Sequence, residues 1–351
     1  MITFRKLPEW PIPTAAVWLL TDIAEAKGRA QLYARQSPQV LKALREMALI
    51  QSAESSNRIE GITVERKRLR PLVMGGARPR DRSEQEVQGY RRALDLVHGS
   101  WAKLEVSPQT IRRLHALCMA GSGDAGRFKR IDNEIVELRP GAPPVVRFRP
   151  LSAAATPAAM DELCRAYRAA IGERGVPDLV AVGALTLDFL CVHPFRDGNG
   201  RVSRLLTLLA LYQRGHEVGR YVSTERLIED SRDDYYDVLR RSSEGWHSGR
   251  HELLPFLAYF LSIVRRAYAE FEGRAGDVRA PRGAKTRLVL DAVERLDAPF
   301  TIAELERRCP GVSRDMVRRA LRDLKAKGAI SVTGRGLGAR WARRGTISKK
   351  G

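Results

Sequence analysis

Residues 193–204 read His-Pro-Phe-Arg-Asp-Gly-Asn-Gly-Arg-Val-Ser-Arg, and this stretch constrains the chain more than any other. The apolar run 178–192 leads into it, and residues 201–212 leave it with apolar positions spaced for a buried helix. A Gly-Asn-Gly turn therefore opens a helix. Backbone N–H groups at a helix start lack partners and carry partial positive charge, so an anion fits there. Gly198 and Gly200 allow close backbone approach, the ingredient of an anion-binding nest. Arg201 and Arg204 lie three apart on the first turn and can offer forked donors to one polyphosphate. Asp197 supplies the hard oxygen that Mg²⁺ takes beside phosphates, and the His193 imidazole can accept a proton near neutral pH. Together these residues suggest transfer of a nucleotide phosphoryl group to an alcohol. A solvated loop between two core helices would explain any one of them, but not the whole set in register.

At these residues the chain resembles the Fic family, whose signature is His-Pro-Phe-x-(Asp/Glu)-Gly-Asn-Gly-Arg-x-x-Arg. Residues 193–204 match it at every fixed position, and the likeness to the family core covers about residues 105–265. The resemblance implies AMP transfer from ATP to a Ser, Thr or Tyr hydroxyl of a target protein, or of the chain itself. By the same resemblance His193 is the general base and Asp197 the Mg²⁺ ligand. Gly198, Asn199 and Gly200 form the anion hole, Arg201 and Arg204 hold the outer phosphates, and Phe195 anchors the loop in the core. Relatives that phosphorylate their targets carry lysine where this chain has Gly200, which favours AMP transfer.

A second segment, 38–59, has the spacing of a long amphipathic helix, with Ser37 as N-cap and Pro38 in the first position. Ser56 and Glu60 fall one turn apart on one face, and Gly61 is a good helix stop. On propensity alone Glu60 is a surface glutamate. It also matches the inhibitory pattern (Ser/Thr)-x-x-x-Glu-(Gly/Asn) of the family's class II members, which lies N-terminal to the core. That resemblance implies that Glu60, with Ser56 and Gly61, pairs with Arg204 and denies it to the γ-phosphate. In some relatives the same glutamate assists hydrolytic removal of AMP, so a de-AMPylating hydrolase is an alternative.

Composition bounds the rest. A chain of 351 residues is long enough for two or three domains. No run approaches the roughly 18 apolar residues of a membrane span, and residues 1–10 lack a signal-peptide plan, so the expected setting is the cytosol. Cys118, Cys164, Cys191 and Cys309 are scattered, which points to neither disulfides nor a zinc site. His247 and His251 are expected at the surface.

The predicted fold is mainly α: a Fic-type helical core with a β-hairpin flap, followed by a small winged helix-turn-helix domain. Residues 1–104 form an N-terminal helical region with the inhibitory helix at about 38–60. It contains an arm with Pro8, Pro11 and Pro13, a short helix through 19–27, a basic connector at 63–82 and a helix at 83–103. The catalytic core spans 105–272. Residues 126–150 read as the flap hairpin, with Pro-Gly at 140–141, and the resemblance implies that it aligns target segments by backbone pairing. Helices are expected at about 224–247 and 251–272, where Tyr235 and Tyr236 are weak candidates for an adenine pocket. Residues 273–284 read as a linker.

Charge is unevenly placed. Of the net +20, residues 273–351 hold 20 Lys and Arg against 8 Asp and Glu. Three helical segments, a turn at Cys309-Pro-Gly and two strand-like runs over 285–351 resemble a winged helix-turn-helix, whose third helix enters the major groove. Arg314, Arg318, Arg319 and Arg322 would give that helix its DNA contacts. Two classes of function stay open: an autoinhibited protein adenylyltransferase, and a nucleotide-sensing DNA-binding transcriptional regulator. The intact signature favours the first. A homodimer, common in the resembled family, would supply half-site symmetry.

Overall fold

The computed structural model describes residues 1–33, 38–137, 143–172, 175–277, 284–296, 298–309, 312–334 and 339–343. The Ser37 cap, the 140–141 turn, residues 278–283 of the expected linker and Pro310-Gly311 lie outside them. The protein is mainly helical, in two compact units, 1–276 and 277–351.

In the first unit the helices are α1 (Ile2–Lys6), α2 (Thr14–Tyr33), α3 (Pro38–Ile59), α4 (Arg66–Val73), α5 (Arg82–Ser100) and α6 (Pro108–Cys118). The hairpin β1 (Ile135–Glu137) and β2 (Val145–Phe148) follows. Then come α7 (Thr156–Gly172), α8 (Asp178–Val192), α9 (Asn199–Gln213), α10 (Thr224–Glu229), α11 (Arg232–Ser243) and α12 (Leu254–Asp277). The centre of the core is α8. From Leu179 to Val192 every residue except Leu190 is buried, so the helix is apolar all round and packs on α7 and α9. Helix α9 leaves the same centre, while α3 lies against α5 and α10. Cys118, Cys164 and Cys191 are buried here as free thiols. The strands pair antiparallel, with Val136 opposite Val146 and Glu137 opposite Val145.

Several local expectations shift. The N-terminal arm is largely helical: α2 extends well beyond 19–27, because the prolines gather ahead of it and leave its body unbroken. Inside the 63–82 connector, Leu69, Leu72 and Val73 fall at helical spacing and are buried, which makes α4 despite its Pro71. The 224–247 segment breaks between Glu229 and Arg232 into α10 and α11. Gly273–Asp277 continues α12, since Phe271 is buried and Arg274 pairs with Glu270 one turn back. His251 is buried rather than superficial, with Nε2 2.8 Å from Thr3 Oγ1, whereas His247 is exposed.

The second unit has its own core, built from Val289, Val293, Phe300, Leu305, Val317, Leu321 and Ile330. Helices α13 (Ala284–Glu294), α14 (Ile302–Arg308) and α15 (Arg314–Ala326) precede an antiparallel pair, β3 (Ile330–Thr333) and β4 (Arg340–Arg343). Thr301 and Glu304 form a capping box at the start of α14, and Phe300 bridges to Trp341.

Helices α5 and α6 approach closely enough for glycine alone. A Cβ at Gly89 on α5 would lie 2.5 Å from the Leu117 carbonyl oxygen and 2.9 Å from that of Cys118 on α6. Backbone cannot yield as a side chain can. Gly89→Ala is expected to destabilise this unit by about 1–3 kcal/mol, seen as a lower urea midpoint at unchanged slope. An unchanged midpoint would contradict this contact of α5 with α6.

Candidate functional site

The site is built where α8 stops and α9 starts. His193 ends α8 in a left-handed conformation, φ 48° and ψ 62°, and its N–H still bonds the Phe189 carbonyl at 2.9 Å. Pro194 then forbids a further helical turn. Gly198, at φ 79°, starts α9. A side chain there would be strained, since φ is left-handed and a Cβ would lie 3.0 Å from Met119 Sδ. Between these two residues Phe195 is fully buried and stacks on His115 of α6, with centroids 3.8 Å apart and planes 2° off parallel.

The loop is fixed by hydrogen bonds from every side. Asn199 Oδ1 accepts the Phe195 N–H at 2.9 Å, and its Nδ2 donates to the Phe195 carbonyl at 2.8 Å. The Asn199 side chain is therefore a staple, and only its backbone N–H is left for an anion. His115 Nδ1 accepts the Gly126 N–H at 2.8 Å, so Nε2 carries the proton and donates to the Asp197 carbonyl at 3.0 Å. Burial lowers its pKa, which favours this neutral form. Lys129 is buried as well. Its Nζ donates to Asn133 Oδ1 at 2.8 Å and to the Val192 carbonyl at 3.3 Å, and its N–H donates to the Pro194 carbonyl at 2.9 Å. Both neighbours of His193 are thus tied to one residue. Burial lowers the Lys129 ammonium to about 8, only partly opposed by Asp132.

His193 Nδ1 lies 3.3 Å from the Leu190 carbonyl, which places the proton on Nδ1 and leaves Nε2 with a lone pair. Burial pushes its pKa down to about 4. The imidazole is then a neutral base through the physiological range. It lines a cleft of about 710 Å³ together with Glu60, Gly200, Arg204, Tyr235 and Tyr236. The guanidinium carbons of Arg147 and Arg232 lie 5.8 and 5.6 Å from the Tyr236 ring centroid.

Glu60 reaches this cleft because α3 ends in a Schellman turn. Ile62 N–H bonds the Asn57 carbonyl at 3.0 Å, Gly61 N–H bonds the Arg58 carbonyl at 2.9 Å, and Gly61 sits at φ 81°. Arg204 answers from α9. Its Nε donates to Ser56 Oγ at 2.8 Å, and Nη2 donates to the Ser56 carbonyl at 2.7 Å and to Glu60 Oε1 at 2.8 Å. Burial works most strongly against the Arg204 charge, but Glu60, Tyr235 and Tyr90 together raise the pKa above its ordinary value. Nη1 is buried and has no partner among the described residues. A Cβ at Gly200 would lie 2.2 Å from Glu60 Oε1, so the carboxylate rests against the first turn of α9. Glu60 thus lies beside a helix start, where the helix field favours negative charge. With 27 % of the Glu60 side chain open to solvent against 4 % for Arg204, the pair is shielded on one side only. Breaking it should cost more than the roughly 1 kcal/mol of exposed pairs and less than the 3–5 of fully buried ones.

Arg201 is placed differently from its expected phosphate role. It is 1 % exposed, pairs with buried Glu86 of α5 and approaches Asn57 Oδ1 at 3.3 Å. It does not line the cleft. In this arrangement it ties α9 to α5 and α3, and it differs from Arg204 because buried Glu86 and Asn57 hold its guanidinium against those helices. Asp197 is open to solvent at 60 % of its side chain; Oδ1 accepts the Gly198 N–H at 2.6 Å and Oδ2 is 3.8 Å from Arg201 Nη2. Among the described residues no group of three His, Cys, Asp or Glu side chains gathers around a metal position. One open carboxylate suits Mg²⁺ that takes most of its oxygens from phosphates and water.

Residues 105–211 form a Fic/DOC family domain. Fic-domain proteins bind nucleotide, and members of the family often AMPylate proteins. Among solved structures, a Fic family protein from Desulfovibrio desulfuricans aligns with a TM-score of 0.61 at 22 % identity, covering 97 % of this chain and 99 % of its own. A Fic domain containing signaling protein from Bacteroides thetaiotaomicron gives 0.61 at 20 % identity, over 73 % and 98 %. A Fic-1 fragment from C. elegans gives 0.57 at 19 % identity, over 73 % and 71 %. At these identities the likeness is one of fold.

Sequence reading missed His115, Lys129 and Glu86, all of which hold the Fic loop or its arginine. Glu86 left a signal: it shares the apolar face of α5 with Tyr90, Ala93 and Val97, where a carboxylate calls for a buried partner. Lys129 left none. In the second unit, Arg314, Arg318, Arg319 and Arg322 are exposed on α15, with Arg314 3.5 Å from Glu306 and Arg318 3.8 Å from Asp315.

The His193 environment has a measurable consequence. Because the folded-state pKa lies below the unfolded value, this histidine contributes stability above about pH 6.5 that is lost as pH falls toward about 4. In histidine NMR titration its ring signals should stay those of the neutral form down to pH 5. A midpoint at or above 6.5 would contradict the burial of this ring.

Proposed function

We propose that the chain is a protein adenylyltransferase, held inactive by the pairing of Glu60 with Arg204. The observation that supports this most is that the His193 base, the α9 start and Arg204 share one cleft, with a carboxylate seated on the anion position. In the active form Glu60 swings away, and the triphosphate of ATP takes its place against the N–H groups of residues 199 and 200. Arg204, with the spare donor Nη1, binds the γ-phosphate end. Bound Mg²⁺, held by Asp197, would neutralise phosphate charge. His193 Nε2 takes the proton from the incoming Ser, Thr or Tyr hydroxyl, whose oxygen attacks the α-phosphorus as pyrophosphate leaves. Val136, Val145 and Val146, exposed on the hairpin, offer an edge for the target backbone. Tyr235 and Tyr236 give the cleft the aromatic wall that a nucleobase stacks on.

Labelled AMP from α-³²P-ATP, supplied with Mg²⁺ to the full chain and a lysate, tests this reading. Glu60→Gly should raise incorporation well above wild type, and adding His193→Ala should abolish it, by at least the roughly 10²-fold of a lost general base. Silence in Glu60→Gly with ATP still bound would instead favour the nucleotide-sensing regulator.

The exposed arginines of α15 support a second role for the 277–351 unit, as a winged helix-turn-helix that binds DNA. Removing Arg318 and Arg322 together should weaken DNA binding and lower its log–log salt slope by about 2. An unchanged slope would leave the unit a protein-interaction module.

A further inference from the structure

On α3, Ser52, Ser56 and Glu60 follow one another at four-residue steps and share one face. Ser56 and Glu60 hold Arg204. Ser52, two turns back, faces Glu225 at the start of α10, with Oγ 2.7 Å from Oε2. Glu225 is 1 % exposed. Its partners among the described residues are four hydroxyls: Tyr90 Oη at 2.9 Å on Oε1, and Ser52, Ser223 and Thr224 around Oε2. Ser52 Oγ is also 2.9 Å from Ser223 Oγ. A buried carboxylate answered by neutral donors depends on every one of them, because each lost bond leaves charge unsolvated. Burial and this carboxylate together keep the Tyr90 phenol protonated, and so a donor. Helix α5 thus backs the inhibitory helix twice, through Tyr90 and, one turn earlier, through Glu86 on Arg201 and Arg201 on Asn57.

The other side-chain tie between α3 and α10 among the described residues, Arg58 to Glu229 at 3.0 Å, has its arginine 46 % exposed. Such pairs contribute about 1 kcal/mol or less. A hydrogen bond to a buried charge contributes more. The Ser52–Glu225–Tyr90 network is therefore the stronger anchor.

We infer that Glu225 is a positioning residue for the inhibitory helix: through Ser52 and Tyr90 it holds α3 so that Ser56 and Glu60 stay on Arg204. The inference rests on the adenylyltransferase reading for its functional consequence, but not for its structural one. Loosening the anchor should shift α3 toward the released state without touching the cleft.

The test uses the full chain and three variants, Ser52→Ala, Glu225→Gln and Glu225→Ala, each alone and combined with Glu60→Gly. Incorporation of labelled AMP and hydrogen exchange of amides 52–60 are read together. Ser52→Ala should raise incorporation over wild type roughly tenfold, the equivalent of one lost hydrogen bond to a charge, and speed exchange across 52–60. Glu225→Ala should do at least as much, and Glu225→Gln less. None should add to Glu60→Gly, because there the lock is already gone; a merely structural role would lower activity in both backgrounds. If Glu225→Ala fails to fold, Ser52→Ala decides. Wild-type incorporation in Ser52→Ala and Glu225→Gln, while Glu60→Gly transfers, would overturn the inference and leave the adenylyltransferase reading intact. If Glu60→Gly is itself silent, that reading fails instead. Exchange then decides alone: faster exchange at 52–60 supports the anchor, and unchanged exchange overturns it.

Discussion

A guanidinium buried in the first turns of a helix must be answered, and in this chain Glu60 and Ser56 answer Arg204. The rest of the site depends on that arrangement. Helix α9 begins where Gly198, at φ 79°, lets the backbone turn sharply, so its first turn and its arginine line the same cleft. Negative charge is favoured there twice over, by the helix field and by Arg204. Glu60 lies in that cleft: it fills the space that a methyl group on Gly200 would need.

The loop 193–198 is held by Asn199 from within, by His115 beneath Phe195, and by Lys129 and Asn133 from the strand side. Helix α8 behind it is buried along nearly its whole length, which fixes where His193 emerges. Burial at that exit keeps the imidazole neutral, so its readiness as a base follows from the packing that positions it. Glu60, just past the end of α3, is the more solvent-open member of its pair with Arg204.

How much of this was legible follows from how local each feature is. Helices α3 and α8 match their sequence bounds residue for residue, because a proline start, a glycine stop and an unbroken apolar run are local signals. Ser56, Glu60 and Arg204 meet, with Arg204 Nε donating to Ser56 Oγ and Nη2 to Glu60 Oε1. Arg201 does not face the cleft, since a spacing of three places both arginines on one helix but says nothing of a buried Glu86 waiting on another. The same limit hid His115, Lys129 and the buried His251, whose partners lie tens or hundreds of residues away. Helix α4 and the extra turn of α12 were obscured by Pro71, Gly273 and Gly276. Propensity there yields to the burial of Leu72, Val73 and Phe271.

Glu60 and the outermost phosphate of a nucleotide compete, on this view, for one anion position on α9. Calorimetric binding of ATP and ADP to wild type and to Glu60→Gln measures this directly, because the two nucleotides differ by that phosphate alone. Competition predicts that ATP and ADP bind wild type about equally, and that ATP gains at least roughly tenfold over ADP once the carboxylate is neutralised, as a charge-assisted contact to Arg204 forms. An ATP-to-ADP ratio that is the same in both proteins would contradict it.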